Sequence, residues 1–166
     1  MKYWGMNQRI KFGFSGGEST FNPDYLEFVE YLKSQGHIIH TTTNGSHQPD
    51  YYSKLMLVSD ITVSAHLDYL QQPRMYQKFL DNIQAAAHSK VSRPESNTNI
   101  LEVRIMLQPG KLDQAQKLYQ DLIPITSNVT VDLLHDKKKK IMDYSQSELA
   151  WTTSTISARQ QPETDF

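Results

Sequence analysis

Short segments with an apolar residue at every second position alternate along the chain with longer segments whose apolar residues recur every three to four positions. Ile10, Phe12 and Phe14 form the first two-residue pattern, and Ser15-Gly16-Gly17 ends it. Asn22 and Pro23 read as a helix start, amide cap then proline. Tyr25, Leu26, Val29 and Leu32 follow at helical spacing, and Gly36 supplies the stop. Residues 37–42 are rich in β-branched side chains and read as a second strand before the Asn44-Gly45 turn. The alternation continues with a helix over 50–58, a strand over 61–65, a helix over 73–88 and a strand over 100–107. A helix over 111–122 and a strand over 129–134 complete it. Strands and helices alternating in this way predict an α/β fold with about five parallel strands and right-handed crossovers.

At 166 residues the chain is expected to form one domain. The 17 basic and 18 acidic residues leave a net charge of −1, which argues against a broad nucleic-acid-binding surface. The hydrophobic fraction, 38%, is lean. Either part of the chain is a polar tail or part of a larger fold is missing; the character changes from Asp136, so a folded part, residues 1–136, and a polar C-terminal tail, residues 137–166, are expected. In that tail a short helix near Ser145 to Thr152 is expected, followed by disorder. No apolar run approaches membrane-spanning length and residues 1–10 lack a signal-peptide core, so no membrane is expected and the protein is expected to be cytoplasmic. The sequence contains no cysteine, which excludes a disulfide scaffold, a thiolate zinc site and a cysteine nucleophile within it.

In parallel α/β folds ligands bind at the carboxyl ends of the strands. Ser15-Gly16-Gly17-Glu18 follows the first strand, Thr42-Thr43-Asn44-Gly45 the second, and Ser64, His66 and Asp68 the third. Gln108 follows the fourth, and His135 and Asp136 the fifth. Two adjacent glycines let a ligand approach bare backbone, and the neighbouring carboxylate can hold an ammonium group by a charge-assisted hydrogen bond. An ordinary strand-to-helix turn with a solvated Glu would look the same.

The run Phe12-Gly-Phe-Ser-Gly-Gly-Glu-Ser-Thr-Phe-Asn-Pro, with the helix behind it ending at Gly36, resembles the second strand and following helix of radical S-adenosylmethionine (radical SAM) enzymes. Thr43-Asn44-Gly45 is similar to that family's third-strand motif, Val63-Ser64-Ala65-His66 to its fourth, and Val103-Arg104-Ile105-Met106 sits where its fifth belongs. The resemblance covers about residues 10–135. It implies a partial (β/α) barrel missing its first strand–helix unit. It also implies S-adenosylmethionine as ligand, with Gly16, Gly17 and Glu18 at the methionyl ammonium and Asn44 and Ser64 near the ribose. Arg104 is then a candidate for the methionyl carboxylate, and residues 131–134 lie near the adenine.

The family carries a Cys-x₃-Cys-x₂-Cys loop that ligates a 4Fe-4S cluster, and this sequence has no counterpart to it. Ser19 stands where the family has proline. Two functional expectations follow. Either the chain is the S-adenosylmethionine-binding wall of an enzyme that reductively cleaves the ligand for radical chemistry, as a fragment or incomplete form. The cluster cysteines, and the cover of the first-strand edge, would then come from a missing segment or partner. Or the chain is a cluster-free, catalytically inactive derivative that binds a nucleoside or peptide, or serves as a scaffold. The substrate, small molecule or peptide, is not specified.

His40, His66 and His135, with Asp68 or Asp136, fall where a zinc set could form, but no paired His-x-His spacing supports it, and backbone-bonded strand-end histidines are the simpler reading. The run Lys137 to Lys140 reads as a solvated segment. Tyr3 and Trp4 precede the first strand and could cover its edge.

Overall fold

The computed structural model describes residues 9–91, 99–135 and 142–159. The expected division of the chain near residue 136, the run Lys137 to Lys140, and Tyr3 and Trp4 lie outside these residues. Five strands are present: β1 (Lys11–Phe14), β2 (Ile38–Thr43), β3 (Asp60–His66), β4 (Leu101–Leu107) and β5 (Val129–Leu133). Five helices accompany them: α1 (Tyr25–Ser34), α2 (Pro49–Val58), α3 (Pro73–Val91), α4 (Leu112–Leu122) and α5 (Gln146–Arg159).

The sheet runs β1-β2-β3-β4-β5 in chain order, and every neighbouring pair is parallel. A doubly wound sheet reverses its order at a switch point. This one never does, so right-handed crossovers carry successive helices to the same side. No pairing joins β5 to β1 among the described residues, and the sheet is open. The fold is thus an α/β partial barrel with a five-stranded parallel sheet.

Burial separates the two faces. Ile39, Ile61, Val63, Ala65, Leu101, Val103, Ile105, Leu107, Val129 and Val131 are buried and pack with α1, α2, α3 and α4 through Val29, Leu55, Phe79, Ile83 and Leu118. The intervening residues form the other face and are mostly polar: Lys11, His40, Thr42, Thr62, Ser64, His66, Glu102, Arg104, Thr130 and Asp132. This accounts for the lean composition, since only one side of the sheet needs an apolar covering.

Beneath β2 the helix side is itself hydroxyl-rich. The Tyr25 phenol shares a 2.8 Å hydrogen bond with Thr41, Thr41 shares one of 2.8 Å with Ser59, and Thr43 meets the Tyr52 hydroxyl at 3.0 Å. Burying hydroxyls is tolerable because each finds a partner.

Two expectations need correction. Asn22 and Pro23 do not open the first helix. A 3-10 turn occupies Ser19–Phe21, the Asn22 side chain accepts the Asp24 N–H at 3.0 Å, and α1 begins at Tyr25. Asn22 therefore ends one short helix and makes a local turn into the next. In the C-terminal part the helix extends well past Thr152, to Arg159. The Thr152 and Thr155 hydroxyls bond back to the carbonyls of Glu148 and Trp151 at 2.9 Å each. Trp151 also packs edge-on against Tyr119 of α4, with ring centroids 6.0 Å apart.

Candidate functional site

The turn after β1 depends on its glycines. Gly16 (φ 91°) and Gly17 (φ 59°) take consecutive left-handed conformations, which disfavour residues with a Cβ. A Cβ built on either would meet nothing within 4 Å, so the turn stands open to an approaching group. Glu18 follows, half-buried.

The Glu18 carboxylate reaches the turn after the neighbouring strand. Its Oε2 accepts the backbone N–H of Asn44 at 2.6 Å, and its Oε1 accepts the Thr20 hydroxyl at 2.5 Å. The lengths are those of charge-assisted hydrogen bonds. Both oxygens keep further acceptor capacity, because a carboxylate can take about four hydrogen bonds.

The turn after β2 is held from α3. Gly45 (φ 74°) lies so close to Phe79 and Val63 that an added Cβ would sit 2.8 Å and 2.9 Å from their side chains. Asn82, 1% exposed, donates to the carbonyls of Gly45 at 2.8 Å and His47 at 3.0 Å. Lys78 donates to the carbonyl of Ser46 at 2.9 Å. Asn44 closes the turn locally, its side-chain oxygen accepting the Ser46 N–H at 3.0 Å. Burial, and then the nearby Lys78 charge, hold the His47 imidazole below its ordinary pKa. Burial first, with the Glu18 charge among the lesser causes, pushes the phenols of Tyr25, Tyr51 and Tyr52 up.

Ser64 and Arg104 are register partners on β3 and β4, on the polar face of the sheet. The pair Thr43↔Val63 precedes Asn44 and Ser64 by one residue on each strand, so Asn44, Ser64 and Arg104 lie at one level of the sheet. Arg104 donates to Glu102 at 3.0 Å and lies 4.0 Å from Asp132. The Thr62 hydroxyl donates to the same Glu102 oxygen at 3.1 Å. The acids, Glu102 first, raise the Arg104 pKa further and keep the guanidinium charged. Near the carboxyl ends of β3 and β4, Asp68 accepts from Gln108 at 2.5 Å and from Lys111.

The structure therefore joins Glu18 directly to Asn44 and places Ser64 and Arg104 at the same end and level of the sheet. Thr20, Asn82 and Lys78 were not among the residues singled out in the sequence. Thr20 stands two positions from Glu18, a spacing that alone says nothing about contact, and the other two come from a helix more than 30 residues away.

His40 and His66 are on the polar face of the sheet and His135 follows β5. Among the described residues no group of three His, Cys, Asp or Glu could hold a metal ion. A 4Fe-4S cluster of the kind implied by the motifs needs thiolates. The sequence has none, so its donor set does not fit that group.

An open, singly wound parallel sheet with a polar face and glycine-rich first turn defines the class: an α/β partial barrel. No protein-family model matches the sequence, and no curated protein matches it. Among solved structures, SuiB from Streptococcus suis shares the fold. A crystal structure of SuiB bound to S-adenosylmethionine matches with a TM-score of 0.58 at 13% identity, covering 90% of this chain and 37% of that one. A second SuiB structure matches equally. The chain thus spans little more than a third of its structural neighbour. At this identity the likeness is one of fold alone.

Proposed function

We propose that this chain binds S-adenosylmethionine at the carboxyl ends of β1 to β4. The observation that carries this reading is the glycine turn whose carboxylate, Glu18, is anchored on the turn after β2. In this reading Gly16 and Gly17 admit the methionyl group, and Glu18 accepts its ammonium in charge-assisted hydrogen bonds. Asn44 and Ser64 lie beside the ribose, and Arg104 meets the methionyl carboxylate. The likeness of fold to a protein crystallised with this ligand supports the assignment.

Bound, S-adenosylmethionine supplies an activated sulfonium. This chain's own residues bind and orient it. No reductive step is derived for them, because the sequence offers no thiolate to hold a cluster. In the enzyme reading the chain is a ligand-binding wall, and the cluster thiolates come from a missing segment or a partner. Its setting is then cytoplasmic. No helix among the described residues is long and apolar enough to cross a membrane.

A second reading is favoured by the same absence of cysteine: a cluster-free derivative that binds a nucleoside or peptide or acts as a scaffold. Calorimetric titration of the chain with S-adenosylmethionine and, separately, with methylthioadenosine tests both. Saturable binding of the first, stronger than of the second, is the expected result. No binding of S-adenosylmethionine up to millimolar concentration would overturn the proposal. Equal binding of the two would transfer the site to the nucleoside reading.

A further inference from the structure

A carboxylate at the end of a Glu side chain has several staggered rotamers to choose from. In this protein both of its oxygens are already held. The backbone of Asn44 fixes Oε2 at 2.6 Å and the hydroxyl of Thr20 fixes Oε1 at 2.5 Å. Two donors on two oxygens set the plane of the group as well as its position.

Thr20 is suited to hold its hydroxyl still. It is 2% exposed and sits in the middle of the 3-10 turn. That turn is closed by Phe21 N–H to Glu18 carbonyl and by Asn22 N–H to Ser19 carbonyl, both at 3.1 Å. The 3-10 turn packs against β2, whose last residue, Thr43, hydrogen-bonds Tyr52, 1% exposed, at 3.0 Å. Thr20 is thus held, buried, between the turn after β1 and the second strand.

We propose that Thr20 is a positioning residue: its buried hydroxyl orients the Glu18 carboxylate before any ligand arrives, so that the turn is preorganised for a primary ammonium. The ligand part rests on the reading of Glu18 given above. The geometric part does not, because it concerns only the protein's own hydrogen bonds. Preorganisation of this kind strengthens binding by removing the ordering that would otherwise accompany it.

The test compares Thr20→Val, which keeps the shape and removes the hydroxyl, with Thr20→Ser, which keeps the hydroxyl. Thr20→Ala is a second hydroxyl-free variant, and thermal melting confirms that each is folded. The first readout is hydrogen exchange of the Asn44 amide without ligand. Exchange is expected to quicken about tenfold in Thr20→Val and Thr20→Ala, and to stay at the wild-type rate in Thr20→Ser. An unchanged Asn44 rate in the hydroxyl-free variants would overturn the proposal whether or not any ligand binds.

The second readout is affinity. Thr20→Val is expected to weaken S-adenosylmethionine about tenfold, to leave methylthioadenosine, which lacks the ammonium, as in the wild type, and to be rescued by Thr20→Ser. Equal loss for both ligands would overturn a positioning role. If the wild type fails to bind S-adenosylmethionine while the Asn44 amide responds as expected, the ammonium reading of Glu18 falls and the positioning of its carboxylate by Thr20 stands.

Discussion

The carboxylate of Glu18 accepts the backbone N–H of Asn44 at 2.6 Å, tying the turn after β1 to the turn after β2. The residues are 26 apart in sequence, and the bond exists only because the two strands are parallel and adjacent. The candidate site is therefore built from the sheet topology, and the residues that stabilise the topology bear on it.

Gly45 is the sharpest case. Any side chain there would have both a left-handed backbone and a Cβ within 3 Å of Phe79 and Val63, which are buried. Gly45→Ala is expected to cost about 2–4 kcal/mol, combining left-handed strain with overpacking. At Gly16 and Gly17 the space is open, so Ala at either is expected to cost only about 1–2 kcal/mol from backbone strain. Chemical denaturation of the three variants measures the difference, and equal losses would show that the close contact at Gly45 relaxes freely.

Glu148 predicts an acid-labile anchor. It is 3% exposed, accepts the Ser145 N–H at 2.7 Å and the Gly110 N–H at 2.6 Å, and forms a capping box with Ser145 at the start of α5. These bonds, the Ser145 backbone first, hold its carboxyl below the usual carboxylate range. The folded form thus binds its proton less readily than the unfolded chain. Its stabilisation is complete above the ordinary carboxylate pKa and is lost as pH falls through the folded value. Glu148→Gln is expected to cost about 1 kcal/mol at neutral pH and to flatten the acid limb of the stability profile. An acid limb unchanged in the variant would contradict this.

Arg104 separates stability from binding. Its side chain is 44% exposed, where ion pairs contribute little. Arg104→Gln is expected to change stability by under about 1 kcal/mol, yet to weaken S-adenosylmethionine more than methylthioadenosine, which has no carboxylate. Denaturation and titration of the variant check both. Equal effects on the two ligands would assign Arg104 to the sheet's own ion pairs.

Much of this architecture was legible in the sequence. Phe12 and Phe14, or Leu101, Val103, Ile105 and Leu107, display their period directly, because packing of one face against the core imposes it; Ile10 fits the same period but lies before β1 and is exposed. The glycine turn was legible for the same local reason. What was not legible depends on distance in the chain. Nothing around Thr20 announces that it bonds Glu18, and nothing around Asn82 announces that it clamps residues 45–47. The last helix runs further than its sequence suggests because, among the described side chains, its fully buried residues are Glu148, Thr152 and Thr155, which carry no apolar signal, and Trp151 alone supplies an aromatic contact to the core. The start of α1 was misplaced because Asn22 caps equally well a helix and a turn.

The most direct test of the account is the affinity of the chain for S-adenosylmethionine with Glu18 and with Gln in its place. Glu18→Gln keeps the size and an acceptor oxygen and removes the charge that an ammonium requires. The account predicts saturable binding by the wild type and a loss of about tenfold or more in Glu18→Gln, with methylthioadenosine unaffected. Wild-type and variant affinities that are equal would contradict it, and the glycine turn would then be only a turn.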